Sequence, residues 1–193
     1  MRALAIFFLT LFSLNAQWIP LFNGKDLTGW KPTHQAVWKV ENGVLIGHWA
    51  PVERGGGGWL MTEQDFSDFV VRVEFRGEPR QTNSGVAIRD PQRGAQNPSY
   101  TGYEVQIHDD PKVPWPTASI YGELRAKYLP LKDEGWNALE ITARGPQVSV
   151  ILNGEKVLEK SDATRSLRGA IGVQSHDRNQ TIYFRSIQIR ELK

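Results

Sequence analysis

The chain contains no cysteine. That absence excludes a disulfide framework, a thiolate zinc site, an iron–sulfur cluster and a cysteine nucleophile. It also lacks an excess of either charge. Its 23 Lys and Arg stand against 21 Asp and Glu, a formal net charge of +2, which gives no reason to expect a nucleic-acid partner. Beyond the first residues, no run is apolar for long enough to span a bilayer. No segment sustains a helical period, although 162–168 fits one short helical turn. There is no fixed-period repeat and no low-complexity linker. The glycine run at 55–58 precedes no helical pattern, so it reads as a flexible loop and not as a phosphate cradle.

What is present is an ordinary globular composition, 40% hydrophobic and 23% charged over 193 residues. That suffices for one domain with its own core. The first sixteen residues read differently. Arg2 supplies a positive charge, 3–14 is apolar apart from Thr10 and Ser13, and Asn15-Ala16 ends the run. This is the pattern of a secretory signal peptide cleaved after Ala16, although Leu14 stands where a small residue is preferred. An uncleaved N-terminal anchor is the alternative. The organisation expected is therefore a signal peptide at 1–16 and a single domain at 17–193. An exported protein without disulfides points to a bacterial periplasm or secretion, with no membrane contact once the signal is removed.

The rest of the chain alternates with period two. Phe69, Val71, Val73 and Phe75 form one face of a run whose other face is Arg72, Glu74 and Arg76. Tyr103, Val105 and Ile107 alternate with Glu104, Gln106 and His108. Leu139, Ile141 and Ala143 follow the same rule, as do Val86 with Ile88 and Ile171 with Val173. Such alternation marks half-buried strands. Asn42-Gly43 and Asn153-Gly154 each sit between two alternating runs, and both residues tolerate positive φ, so each predicts a tight hairpin. Between Phe184 and Ile187 the apolar face shifts by one residue, which predicts a bulge or bend. Many short strands with turn residues between them imply an all-β sandwich or barrel.

The polar faces of three strands stand out. Glu104, Gln106 and His108 project from one face at steps of about 7 Å. Gln174 and His176 do so on a second strand. Asn83, Gly85, Ala87 and Arg89 line a third, with small residues at its centre. Small residues in mid-strand let a ligand approach the backbone. Carboxylate, imidazole, amide and guanidinium together can donate, accept and transfer protons, which suits a polyhydroxylated substrate. Trp30, Trp38, Trp59 and Trp136 lie in strand or turn contexts and are expected in the core. Trp49 and Trp115 lie in loops and are candidates for a stacking platform.

A series of phrases in fixed order carries a family resemblance. Leu-Phe-Asn-Gly-Lys-Asp-Leu-Thr-Gly-Trp stands at 21–30, Trp-Lys-Val-Glu-Asn-Gly-Val-Leu at 38–45 and Gly-Trp-Leu-Met-Thr at 58–62. Asn-Ser-Gly-Val follows at 83–86, Gly-Tyr-Glu-Val-Gln-Ile at 102–107 and Gly-Val-Gln-Ser-His at 172–176. Together they resemble the 3-keto-disaccharide hydrolase domain family, whose members are also described as 3-keto-glucoside 1,2-lyases and 3-keto-2-hydroxy-glucal hydratases. The resemblance covers about 18–192. It implies a concanavalin-A-like jelly-roll sandwich of two antiparallel sheets with a concave groove.

The resemblance also implies a chemistry. The substrate is a glycoside oxidised to a ketone at ring carbon 3, which acidifies the hydrogen on carbon 2. A base removes that hydrogen, the aglycone leaves from carbon 1, and water can add back. No closely spaced carboxylate pair of the kind used by retaining glucanases is required, and none is found on a strand here. On this reading Glu104 is the first choice for the base, and His108 and His176 serve as acid or base. Arg89 stabilises the enolate oxygen or binds hydroxyls. Asn83, Gln106 and Gln174 orient hydroxyls, and Tyr121 and Glu123 complete the acid side. A divalent metal held by Glu104, His108 and His176 is an added possibility. The partner expected is an oligosaccharide or glycoside. Two other classes stand beside the enzyme: a non-catalytic carbohydrate-binding module or lectin on the same sandwich, and an interaction protein.

Overall fold

The computed structural model describes residues 17–49 and 57–193. The signal peptide expected at 1–16 and the first half of the glycine run at 55–58 lie outside the described residues. Among the described residues, thirteen strands and one short helix follow one another. They are β1 (Ile19–Pro20), β2 (Trp30–His34), β3 (Val37–Glu41), β4 (Val44–His48), β5 (Gly58–Phe66), β6 (Phe69–Glu78) and β7 (Ser84–Asp90). Then come α1 (Pro98–Thr101), β8 (Tyr103–Ile107), β9 (Asn137–Arg144), β10 (Gln147–Leu152), β11 (Glu155–Lys160), β12 (Gly169–Ser175) and β13 (Thr181–Glu191).

The strands form two antiparallel sheets. The larger runs in the order β11-β10-β9-β6-β13-β4-β3, with β1 added along the second half of β13. The smaller runs β2-β5-β12-β7-β8. The expected all-β sandwich is what forms. Its core lies between the sheets, where the period-two faces meet. Val71, Val73, Phe75, Leu139, Ile141 and Phe184 of the larger sheet face Leu60, Val86, Val105, Ile107 and Val173 of the smaller, all 1% exposed or less. Each such side chain contributes roughly 1.5–3 kcal/mol by leaving water.

Both Asn-Gly turns close hairpins. Asn42 and Asn153 take φ of 52° and 51°, and the glycines after them 79° and 89°, the twist that matches the flanking strands. The bulge expected near the C-terminus is present. The pairing of β13 with β6 shifts between Phe184 and Ser186, so Arg185 is the extra residue and both sides of it keep their apolar face inward. The helical turn expected at 162–168 does not form, and that segment is irregular. The helix present is α1 instead. Asn97 caps it by accepting from the Ser99 backbone N–H, and Pro98 opens it with its φ already suited to a helix.

Candidate active site

The outer face of the smaller sheet is built of two rows. One crosses the strands as Met61, Gly172, Ala87 and Glu104; the next carries Trp59 beside Gln174 and Gly85 beside Gln106. The middle of the face is built of Gly172, Ala87 and Gly85, as the small residues of β7 suggested, and the Met61 side chain folds over Gly172. Glu104 lies back over that space. A Cβ at Gly85 would meet its Oε1 at 2.6 Å, so glycine there is what gives the carboxyl room.

Walls rise around this floor. Between β7 and β8 the chain makes a loop, 91–102, that contains α1. Its anchor is Asp90, fully buried, whose carboxylate accepts from the backbone N–H groups of Gln92 and Gly94 at 3.0 and 2.6 Å and from Thr101 Oγ1 at 2.6 Å. On the far side, the segment after β8 doubles back along it. The Tyr121 N–H donates to the Glu104 carbonyl at 2.9 Å, which sets the ring next to Glu104. Asn83, Asn97, Glu104, Gln106, Tyr121, Gln174 and His176 then enclose a cavity of about 110 Å³. It adjoins a second of about 280 Å³ lined by His34, Trp49, Gly57, Gly58, Trp59 and the shared Asn97, Gln174 and His176.

The electrostatics of the smaller cavity are distinctive. Glu104 is 4% exposed, and burial alone pushes its carboxyl up to about 8. Gln106 spends its amide N–H on Asn83 Oδ1 at 3.4 Å. The Oε1 atoms of both Gln106 and Gln174 are buried and have no hydrogen-bond partner among the described residues. Unpaired acceptors of this kind are costly, and a sugar hydroxyl would satisfy each. His176 is held at Nδ1 by the Asp177 carboxylate, with Asn83 Nδ2 at 3.2 Å from the same nitrogen. Its ring is half exposed at the cavity rim. The arrangement can bind hydroxyls, hold or release a proton at a buried carboxyl, and exchange one with an imidazole oriented by a carboxylate.

The structure therefore brings together Glu104, Gln106, Gln174, Asn83, Tyr121 and His176, and places Trp49 in the adjoining cavity. It does not bring the rest. Arg89, expected to stabilise the enolate oxygen, is fully buried and faces away from the groove. Its guanidinium donates to Ser67 O at 2.7 Å, Gly145 O at 2.6 Å and Asp68 Oδ1 at 2.9 Å. The cause is a bulge. Ala170 and Gly172 of β12 pair with Asp90 and Ala87 of β7, so β7 holds one residue more than its partner. Arg89 takes that place at a φ of 53°, and the alternation that set it beside Ala87 fails there.

Glu123 is also withdrawn from the cavity, paired with Lys160 at 3.3 Å and Arg165 at 2.5 Å. His108 and Trp115 line neither cavity. His108 falls beyond the end of β8, where its backbone N–H is taken by Thr117 Oγ1 at 2.9 Å. Among the described residues no three His, Cys, Asp or Glu side chains gather that could hold a metal ion. The set of Glu104, His108 and His176 is not assembled, and no chemical step is routed through a metal here.

Four residues escaped the sequence reading. Trp59 is buried as expected, but in a second apolar cluster with Met61, Ala87 and Ala170 on the outer face of its sheet, where it also lines the larger cavity. His34, Asn97 and Asp177 went unremarked. Of these only Asn97 carried a signal, the Asn-Pro step that starts a helix.

The model of the 3-keto-alpha-glucoside-1,2-lyase-like domain matches residues 17–190. Two candidate glycosyl hydrolases from Parabacteroides distasonis ATCC 8503 are similar in structure. One is 28% identical over 91% of this chain and 100% of its own, with a TM-score of 0.75. The other is 23% identical over 91% and 94%, with a TM-score of 0.74. The carbohydrate-binding module CBM66 from Bacillus subtilis shares the fold at 15% identity, covering 84% of this chain and 96% of its own, with a TM-score of 0.58. No curated protein matches the chain.

Proposed function

The chain belongs to the 3-keto-alpha-glucoside-1,2-lyase-like domain family, and from that premise we propose that it cleaves 3-keto-glycosides by elimination across ring carbons 1 and 2. The observation that carries this reading is the buried Glu104 carboxyl, set over Gly85 in the cavity and lined beside it by the unpartnered oxygens of Gln106 and Gln174. The sugar ring occupies the smaller cavity, its hydroxyls donating to those two oxygens. The leaving group extends into the larger one, against Trp49 and Trp59.

Glu104 in its ionised form takes the proton from carbon 2. The electron pair of that C–H bond forms a double bond between carbons 2 and 3 while the carbonyl π pair moves onto the ketone oxygen, giving an enolate. The enolate collapses to a double bond between carbons 1 and 2, and the C1–O bond breaks with its pair going to the aglycone oxygen. His176, oriented by Asp177, supplies the proton that oxygen needs. Water added across the double bond would return a free 3-keto sugar, for net hydrolysis. Burial makes Glu104 a stronger base than an ordinary carboxylate, because base strength follows pKa. Loss of a positioned general base costs about 10²–10⁴-fold.

The test is aglycone release from a 3-keto aryl glucoside, with the unoxidised parent as control. The reading expects release from the ketone and none from the parent, with Glu104→Gln reducing the rate by that factor. Binding of both sugars without turnover of either would sink it and leave a carbohydrate-binding module.

A further inference from the structure

We propose that Asn97 is the hydrogen-bond donor to the ketone oxygen on ring carbon 3, the group that stabilises the enolate as the carbon-2 proton leaves. The proposal rests on the elimination reading above. That step moves negative charge onto one oxygen, and a fixed donor aimed at it is worth most in the transition state. Arg89 cannot supply it, since its three hydrogen bonds are spent on Ser67, Gly145 and Asp68 away from the groove.

Asn97 lies on the wall shared by the two cavities. Both hydrogen bonds of its side chain run to Oδ1, from the Ser99 N–H at 3.0 Å and Ser99 Oγ at 2.9 Å. The helix cap therefore fixes how the amide is turned and leaves the NH₂ as the group it can offer a ligand. Of the three other amides in this cavity, Gln106 and Gln174 are the reverse, with their oxygens unpartnered, and Asn83 is engaged at both ends, its Oδ1 accepting from Gln106 and its Nδ2 lying 3.2 Å from His176 Nδ1. The cavity thus offers acceptors for hydroxyls and, in Asn97, an amide donor whose orientation the cap fixes for a carbonyl. The donor is also built in advance. The Asn97 carbonyl accepts from Tyr100 N at 2.9 Å, and Asp90 anchors both ends of the loop.

The test isolates proton removal from bond cleavage. A 3-keto-1,5-anhydroglucitol has no aglycone on carbon 1, so the reaction it reports at carbon 2 is exchange of that hydrogen with deuterated water. Asn97→Ser keeps a capping oxygen and removes the NH₂; Asn97→Asp does the same with a carboxylate. Both are expected to slow exchange by about 10²–10³-fold, with the melting temperature of Asn97→Ser held at the wild-type value. Wild-type exchange in either folded variant overturns the proposal. A wild-type enzyme that exchanges nothing overturns the elimination reading, and the proposal with it, which separates the two failures.

Discussion

Among the described residues no cation stands beside Glu104 to offset its burial, so at neutral pH it keeps its proton in most molecules. Two consequences follow from the one shift. As a base it is active only when ionised, so exchange of the carbon-2 hydrogen, which needs the base and no leaving-group acid, should climb with pH up to about 8. The effect on stability has the opposite sense. The folded protein holds the Glu104 proton up to about 8, whereas the unfolded chain releases it near the ordinary value of 4.5. The folded state binds more protons across that window, so stability falls as pH rises through it. Glu104→Gln removes the proton from this balance. Melting scans at pH 5 and pH 9 should show the variant gaining on the wild type at the higher pH while its activity is lost. A constant difference between the two proteins would mean the carboxyl is not desolvated. At this scale the sequence was partly legible. The alternation of β8 put Glu104 and Gln106 on one face, but nothing in it said that the face would be covered.

Elements decide which of the alternating residues reach the site. In β13 the bulge was readable, because Phe184 and Ile187 sit on the same apolar face at the wrong spacing. In β7 it was not, because the extra residue is Arg89 and a polar residue next to Asp90 leaves no break in the apolar pattern. Its guanidinium instead clamps the β5–β6 turn at Ser67 and Asp68 to the β9–β10 turn at Gly145. Arg89→Lys keeps the charge but loses the fork that reaches three acceptors. It should lower stability by about 1.5–3 kcal/mol for each hydrogen bond the ammonium cannot remake, while kcat per folded molecule stays unchanged. A loss of kcat at full stability would return Arg89 to the reaction. The loop 91–102 gave no periodic signal to read, since its order comes from Asp90 and not from a repeating pattern. Asp90→Ala removes three hydrogen bonds to a charged acceptor, each worth about 1.5–3 kcal/mol. Limited proteolysis should then cut within the loop, and KM should rise as Asn97 loses its place. Resistance equal to the wild type would show that the loop is held by something else.

Across the whole molecule, one face of the smaller sheet packs on the core and the other is released for chemistry. The larger sheet and its apolar faces make the support stiff enough for small residues to floor a site. Period two and the two Asn-Gly hairpins made the all-β class legible, and the ordered phrases from 21 to 176 made the family legible. The strand order was not, because β12 lies between β5 and β7, and β13 between β6 and β4. Those neighbours are distant in sequence and are chosen by packing. Arg89, Glu123, His108 and Trp115 misled for the same reason: bulges, ion pairs and strand ends are settled only once the sheets assemble. The central claim is that cleavage passes through carbon 2. The most direct test is to incubate the protein with a 3-keto aryl glucoside in deuterated water and weigh the sugar product at early times. The account predicts aglycone release with either the dehydrated sugar or, after water returns, a 3-keto sugar carrying one deuterium on carbon 2. Release of a 3-keto sugar that keeps its original hydrogen there would mean direct hydrolysis at carbon 1 and would contradict the account.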